Sequence, residues 1–182
     1  VRSCARAAVG ASLAGLGLLG YAFLEASLPV LRRVDVPVLA AGEPPVTLLH
    51  LSDLHLTDRT EARVAWVRRL ARLRPDVVID TGDNLSFANG LEPLGRALAP
   101  FLGLPGAFVL GDHDYRTTVF KSPTRYLRSH PSPVYKDLDE AHVALPWTKV
   151  RDLQASGGWA DLTNARGTIS VGGRSIELVG VD

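Results

Sequence analysis

The chain has 182 residues, of which 46% are hydrophobic and 21% charged, and this composition is typical of one folded domain with a short additional segment. Its formal net charge of +1 lacks the basic excess of nucleic-acid-binding proteins, so we expect no nucleic-acid partner. Only one cysteine, Cys4, is present, which excludes an intrachain disulfide and a zinc site built from several thiolates.

The N-terminal region carries a long apolar run, which extends over residues 7–24 without a charge and follows Arg2 and Arg6. A helix of this length would span about 27 Å, close to the thickness of a bilayer core. We therefore predict a single-pass transmembrane anchor in residues 1–28, with the following domain outside the cytoplasm at the cell membrane. A cleaved signal peptide is the alternative, because a basic start before an apolar run fits it as well. Residues 29–45 contain four prolines and predict an extended linker.

After the linker, three short apolar runs each lead into a turn that carries an aspartate; they lie within residues 46–51, 76–84 and 106–114. The runs predict β-strands, and apolar residues at helical spacing between them predict helices over 61–73 and 91–102. The steps from Asp53 to Asp83 and from Asp83 to Asp112, 30 and 29 residues, are the length of successive βαβ units. Strands of such units are parallel, so we expect an α/β fold in which the three turns meet at one sheet edge.

Each turn combines an aspartate with further polar residues. The first acidic turn (residues 52–55) holds Asp53 and His55, the second (81–84) holds Asp83 and Asn84, and the third (111–114) holds Asp112, His113 and Asp114. Each aspartate could be the N-cap of a following helix. Three such turns at one edge, however, place several carboxylates close together, and these repel one another unless a cation neutralises them. Carboxylate, imidazole and amide ligands favour Mn, Fe or Zn over calcium, so we interpret the turns as a metal site.

These turns resemble the first three motifs of the calcineurin-like metallophosphoesterases. The letters DLH (53–55), GDN (82–84) and GDHD (111–114) correspond to the family patterns D-x-H, G-D-x-x and G-N-H-D/E. The apolar N-terminal segment before SDLH is similar to the membrane-associated bacterial branch. The resemblance covers residues 46–182 and implies a four-layer α/β/β/α sandwich, of which this chain would contain only part. It also implies hydrolysis of phosphate monoesters or diesters at two divalent metal ions.

The resemblance assigns metal ligands to the three turns. Asp53 and His55 would bind the first ion, and Asp83 would bridge both ions. Asp112 stands where the family has a metal-binding asparagine, so an oxygen ligand is kept while a negative charge is added.

It also assigns residues to the substrate. His113 would lie beside the scissile phosphate and either donate a proton to the leaving oxygen or stabilise developing charge, while Asp114 would orient its ring. Asn84 would contact the substrate. The expected catalytic residues are therefore His113 and Asp114.

Two later motifs of the family, which supply histidines to both metals, have no counterpart in the chain. His50 falls inside the first strand and predicts a packing role, while His130 and His142 lie in loop-like sequence. A Gly-Gly pair at 172–173 predicts a hairpin near the C-terminus. We therefore expect the domain at 46–182 to be truncated at its C-terminus, with an incomplete second metal site and weak turnover. The alternative is a catalytically inactive, membrane-tethered remnant that binds one metal or none.

Overall fold

The computed structural model describes the backbone of residues 2–117 and 142–182, and their side chains except those of residues 2–9, 11, 26 and 27. His130, which the sequence predicts to lie in a loop, is outside the described residues. The chain divides into two compact units, Val1–Val38 and Leu39–Asp182.

The first unit contains one helix, α1 (Arg2–Ser27), followed by backbone without regular secondary structure up to residue 38. The apolar segment is therefore helical, as expected. Within the described part of the chain, however, no helix is both long and apolar enough to cross a membrane. The predicted transmembrane helix over residues 7–24 is thus not supported by the structure.

The second unit is built on a four-stranded parallel sheet with the strands in the order β1 (Leu48–Leu51), β2 (Val77–Asp80), β3 (Gly106–Phe108) and β4 (Ala160–Asp161). Leu51 pairs with Asp80, and Asp80 with Phe108, so the carboxyl ends of β1, β2 and β3 lie level with one another. The prediction of an α/β domain with a parallel sheet is confirmed. All three acidic turns follow at the same edge.

The connection from β1 to β2 contains α2 (Glu61–Arg69), which continues as a 3-10 turn (Leu70–Leu73). Val64, Val67 and Leu70 are buried in the main hydrophobic core. The helix stops before Pro75, and Arg74 closes it with a left-handed backbone (φ 51°). The predicted helix over 61–73 is confirmed, with a tightened last turn.

The connection from β2 to β3 starts with a 3-10 turn (Ala88–Gly90) and continues as α3 (Leu91–Leu98). Pro93 lies in the first turn of α3, where helical N–H groups have no partner within the helix. The helix ends before the predicted boundary at 102, because Pro100 has no N–H to extend it. The described residues also form α4 (Asp112–Tyr115), which begins in the third acidic turn, and α5 (Trp147–Ser156), which the sequence patterns did not predict.

The two faces of the sheet are covered by different elements. Residues that alternate along a strand point to opposite faces, so Val78 packs into the main core while Val77 packs on the other side. There Val77 lies in a smaller core with residues of an antiparallel hairpin, β5 (Arg166–Val171) and β6 (Arg174–Val179). The pair at 172–173 links the hairpin with φ of 56° and 77°, as a type I′ turn requires. The predicted hairpin is confirmed.

Candidate metal centre

The first and second acidic turns are held side by side by backbone hydrogen bonds. The N–H groups of Asp53 and His55 each donate to a carbonyl of the second turn at 3.0 Å. On the other side, Arg63 from α2 donates to the carbonyl of Leu54 at 2.7 Å. These contacts continue the pairing of β1 with β2 beyond the strand ends. The side chains of the two turns therefore project from a common base.

The three residues predicted to form the first metal site all have left-handed backbones. The φ angle is 54° at Asp53, 43° at His55 and 56° at Asp83. Elsewhere in the described chain, only Arg74 and Asn164 among non-glycine residues have positive φ. This conformation costs a residue other than glycine about 1 kcal/mol or more. Backbone strain is therefore concentrated at this edge of the sheet.

The side chains of these three residues converge. One ligand atom from each of Asp53, His55 and Asp83 lies within 4.8 Å of the other two. Nε2 of His55 is 3.8 Å from Oδ1 of Asp53, and Nδ1 of His55 is buried without a hydrogen-bond partner. Two ligands at 2.0–2.2 Å from one ion can be up to about 4.4 Å apart, and the 3.8 Å between His55 and Asp53 lies within that limit. Two carboxylates and one imidazole with an unpartnered nitrogen fit a divalent transition metal.

The glycines of the second and third motifs let these turns touch. A Cβ atom at Gly111 would lie 2.3 Å from Oδ1 of Asp83 and 2.7 Å from its backbone nitrogen. At Gly82, where φ is 82°, a Cβ would lie 2.2 Å from the backbone nitrogen of Gly111. No real Cβ atom makes contacts this short. Both positions therefore require glycine for the Asp83 carboxylate to reach its place.

The third acidic turn brings His113 next to the cluster. Its backbone N–H donates to Oδ1 of Asp83 at 2.9 Å, and its ring meets the ring of His55 edge to face with centroids 5.2 Å apart. Nδ1 of His113 is buried without a hydrogen-bond partner. The structure thus places this histidine beside the three converging side chains, as the sequence predicted.

Comparison with known families agrees with this geometry. The sequence profile described as calcineurin-like phosphoesterase matches residues 46–179. The chain belongs to the calcineurin-like phosphoesterase family. Its members are hydrolases of phosphoester bonds that typically use divalent metals, and Asp53, His55 and Asp83 are a candidate metal-binding triad within the matched region. No curated protein sequence matches the chain.

Asp112 replaces the asparagine of the family pattern, and the structure does not bring it into the triad. Its Oδ1 accepts hydrogen bonds from Arg116 instead, at 2.6 Å from Nε and 2.5 Å from Nη2. The two residues are one helical turn apart, so the guanidinium neutralises the charge that the substitution adds. Asp112 is thus engaged in an ion pair, and its role as a ligand of the second metal ion stays a prediction.

Asp114 does not orient the ring of His113, which differs from the prediction. It is buried, and its carboxylate accepts N–H groups of Gly111 at 3.1 Å, Asn84 at 2.9 Å and Leu85 at 3.3 Å. Burial raises the pKa of Asp114, and these three hydrogen bonds oppose the rise. The residue lies in the first turn of α4, so its side chain folds back onto the backbone at the start of that helix. Asp114 therefore ties the third turn to the second.

Asn84 is buried too, and its contact with substrate stays a prediction. Its Nδ2 donates to Oδ1 of Asp80 at 3.2 Å, and its Oδ1 has no partner among the described residues. Asp80 and its other side-chain partner, Gln154 on α5, were missed by the sequence analysis. The available signal was an aspartate inside the β-branched run of β2, where a charged side chain has to be buried.

The other described histidines lie outside the triad. His50 is exposed rather than packed in the core, because its side chain alternates along β1 with the buried Leu49 and Leu51. Its Nε2 lies 2.8 Å from Oγ1 of Thr81. Nδ1 of His142 lies 2.6 Å from the carbonyl oxygen of Thr117.

Proposed function

We propose that this chain hydrolyses phosphate esters, monoesters or diesters, with divalent metal ions held at the candidate metal centre (Asp53, His55 and Asp83). The observation that carries the proposal is the convergence of these three side chains beside the ring of His113. Family membership supports the same chemistry. Mn, Fe and Zn suit the donor set, because each accepts carboxylate oxygen together with imidazole nitrogen.

The protein side chains have distinct tasks in this proposal. Asp53, His55 and Asp83 would hold the metal, and Asp83 would also serve a second ion. When bound, such ions neutralise charge on the phosphoryl group and make water a stronger nucleophile at neutral pH. The ring of His113 lies next to His55, and in this proposal its imidazole donates a proton to the leaving oxygen.

A second candidate function is metal binding without turnover. The ion pair between Asp112 and Arg116 favours it, because it occupies the carboxylate predicted to serve the second ion. In the part of the chain that the structure describes, only one group of three ligands comes together. Phosphoryl transfer between two metals needs both ions in fixed positions, so we expect turnover by this chain to be slow.

The test measures hydrolysis of p-nitrophenyl phosphate and bis-p-nitrophenyl phosphate with added Mn²⁺. We expect slow, Mn²⁺-dependent turnover that falls at least about 100-fold in Asp83→Ala, since removal of a metal ligand removes the main catalytic charge. Asp58→Ala removes an exposed acid outside the triad and is the matched control, with unchanged turnover. Turnover that survives Asp83→Ala would contradict the proposal. Mn²⁺ binding without turnover would favour the second candidate.

From the sequence we also propose that residues 7–24 hold the chain at the cell membrane, with the phosphoesterase domain outside the cytoplasm. Carbonate extraction of membranes tests it: a protein that stays in the pellet, and is released when residues 1–28 are deleted, would agree with the prediction. A shortened, soluble mature form would favour a cleaved signal peptide.

A further inference from the structure

A buried carboxylate, that of Asp80, is hydrogen-bonded to the second acidic turn. Asp80, the last residue of β2, has no exposed surface. Its Oδ1 accepts hydrogen bonds from the N–H of Gly82 at 2.9 Å and from Nδ2 of Asn84 at 3.2 Å. One oxygen atom thus holds the residues on both sides of Asp83.

The other oxygen of Asp80 is anchored to a helix. Its Oδ2 accepts a hydrogen bond of 2.7 Å from Nε2 of Gln154, which is buried on α5. The helix is fixed in the main core through Val150, which is also buried. The carboxylate of Asp80 therefore connects the second acidic turn to a helix that is packed in the main core.

The second acidic turn needs this support because of its backbone. Gly82 and Asp83 are consecutive left-handed residues, with φ of 82° and 56°. A backbone N–H that donates to the carboxylate of an aspartate two residues earlier is a common way to fix such a turn. Packing alone would favour an apolar residue at this position, and burial raises the pKa of Asp80 to about 7 despite its three hydrogen bonds. A costly buried acid at this point indicates a function in the turn.

We propose that Asp80 is a positioning residue for the candidate metal centre, which fixes the backbone of the second acidic turn so that the Asp83 carboxylate reaches Asp53 and His55. This inference rests on the proposed function, because the proposed function is what assigns metal binding to the triad. Asp80 acts through the turn and Asn84. It is therefore separate from the three residues that hold the metal.

The experiment measures binding of Mn²⁺ alone, followed by loss of the electron paramagnetic resonance signal of the free ion. Asp80→Leu keeps the branching at Cγ and removes both acceptors, so we expect about tenfold weaker binding, the usual effect of losing a hydrogen-bond partner behind the metal ligands. Asp80→Asn keeps Oδ1. In that variant Gln154 can rotate its amide and offer Oε1, which has no partner in the described structure, to the new NH₂ group. We expect Mn²⁺ binding within about twofold of wild type.

Val78→Ala is the matched control. Val78 is buried on the same strand and face, two residues before Asp80, and it packs into the main core without contacting the second turn through a hydrogen bond. This variant should lose stability and keep its affinity for Mn²⁺. Affinity that follows stability across all variants would show a merely structural role and overturn the inference. Wild-type affinity in Asp80→Leu would overturn it as well.

Failure of the proposed function gives a different result. A wild-type protein that binds Mn²⁺ no better than Asp83→Ala would contradict the proposed function. Amide hydrogen exchange at Gly82 then decides the inference without metal. The exchange should be about tenfold faster in Asp80→Leu than in Asp80→Asn, because only the latter retains the acceptor for that N–H. Equal exchange rates would overturn the positioning role.

Discussion

The backbone N–H of His113 donates a hydrogen bond of 2.9 Å to Oδ1 of Asp83. Through this bond the third acidic turn fixes the carboxylate of the second turn. Among the described residues, Oδ2 of Asp83 accepts no hydrogen bond, so one oxygen is held by backbone and the other is left for coordination. The third turn therefore serves the triad through its main chain and through the ring of His113, while Asp112 is engaged by Arg116.

Replacement of Gly111 by alanine should disrupt the triad. The added Cβ would lie 2.3 Å from Oδ1 of Asp83, so the carboxylate or the backbone of the turn has to move. We expect a loss of about 1–3 kcal/mol in the free energy of unfolding and at least about tenfold weaker Mn²⁺ binding. Urea unfolding and metal titration measure the two effects.

Gly95→Ala is the control for that substitution. Gly95 lies inside α3, and a Cβ there meets only the side chain of Leu153 at 3.9 Å. Alanine should stabilise this helix by about 0.5–1 kcal/mol and leave metal binding unchanged. Equal losses in both alanine variants would contradict the steric explanation for Gly111.

Stability should depend on pH through Asp80. Burial raises its pKa from 3.8 to about 7, so the folded protein keeps a proton that the unfolded chain releases between these two values. The free energy of unfolding is therefore highest below the unfolded pKa, falls as the pH rises toward about 7 and levels off above it. The decrease due to Asp80 is on the order of 4 kcal/mol at most.

Asp80→Asn should remove this part of the pH dependence and make the protein more stable than wild type above about pH 7. Urea unfolding of both proteins at matched pH gives the difference. That comparison is needed because the pKa of Asp114 is raised as well and adds a slope of the same sign to both proteins. Parallel pH profiles for the two proteins would show that Asp80 does not titrate in this range.

Asp112→Asn should strengthen the binding of anionic substrates and have little effect on the free energy of unfolding. The ion pair with Arg116 is exposed, and such pairs contribute about 0–1 kcal/mol. Removal of one negative charge near the triad lowers the repulsion of a phosphate ester, so we expect KM to fall and to become less sensitive to salt. Steady-state kinetics at two ionic strengths measure this.

Asp152→Asn is the matched variant for Asp112→Asn. It removes a similar exposed acid, which pairs with Arg151 on α5 rather than in an acidic turn. Its KM should equal that of wild type. A rise in KM in Asp112→Asn would indicate that the carboxylate of Asp112 helps to bind a metal after all.

Spacing and periodicity were sufficient to predict the parallel sheet, the hairpin and the convergence of Asp53, His55 and Asp83. The reason is that β1 and β2 end level with one another, so turns 30 residues apart meet. Side-chain partners were not predictable in the same way. The pairing of Asp80 with Gln154 joins residues 74 positions apart, and α5 shows no strong signal before packing is known.

The roles of Asp112 and Asp114 show a second limit of prediction from motifs. In a motif, an aspartate is written in the same way whether it binds a metal, orients a histidine ring or accepts hydrogen bonds from backbone N–H groups. The choice depends on where α4 begins and on which donors stand nearby, Arg116 for Asp112 and three main-chain groups for Asp114. Both facts follow from tertiary geometry rather than from local sequence.

The position of the triad on two separate turns also has a consequence for folding. An ion shared by Asp53 and Asp83 would connect points 30 residues apart in the chain and act as a reversible cross-link around the whole segment that contains α2. Binding to the folded state alone adds about 2.7 kcal/mol when the free ion is at 100 times its dissociation constant. The thermal midpoint of the domain should therefore rise with Mn²⁺ concentration in wild type and stay constant in Asp83→Ala, and a chelator should loosen α2 before the hairpin of β5 and β6.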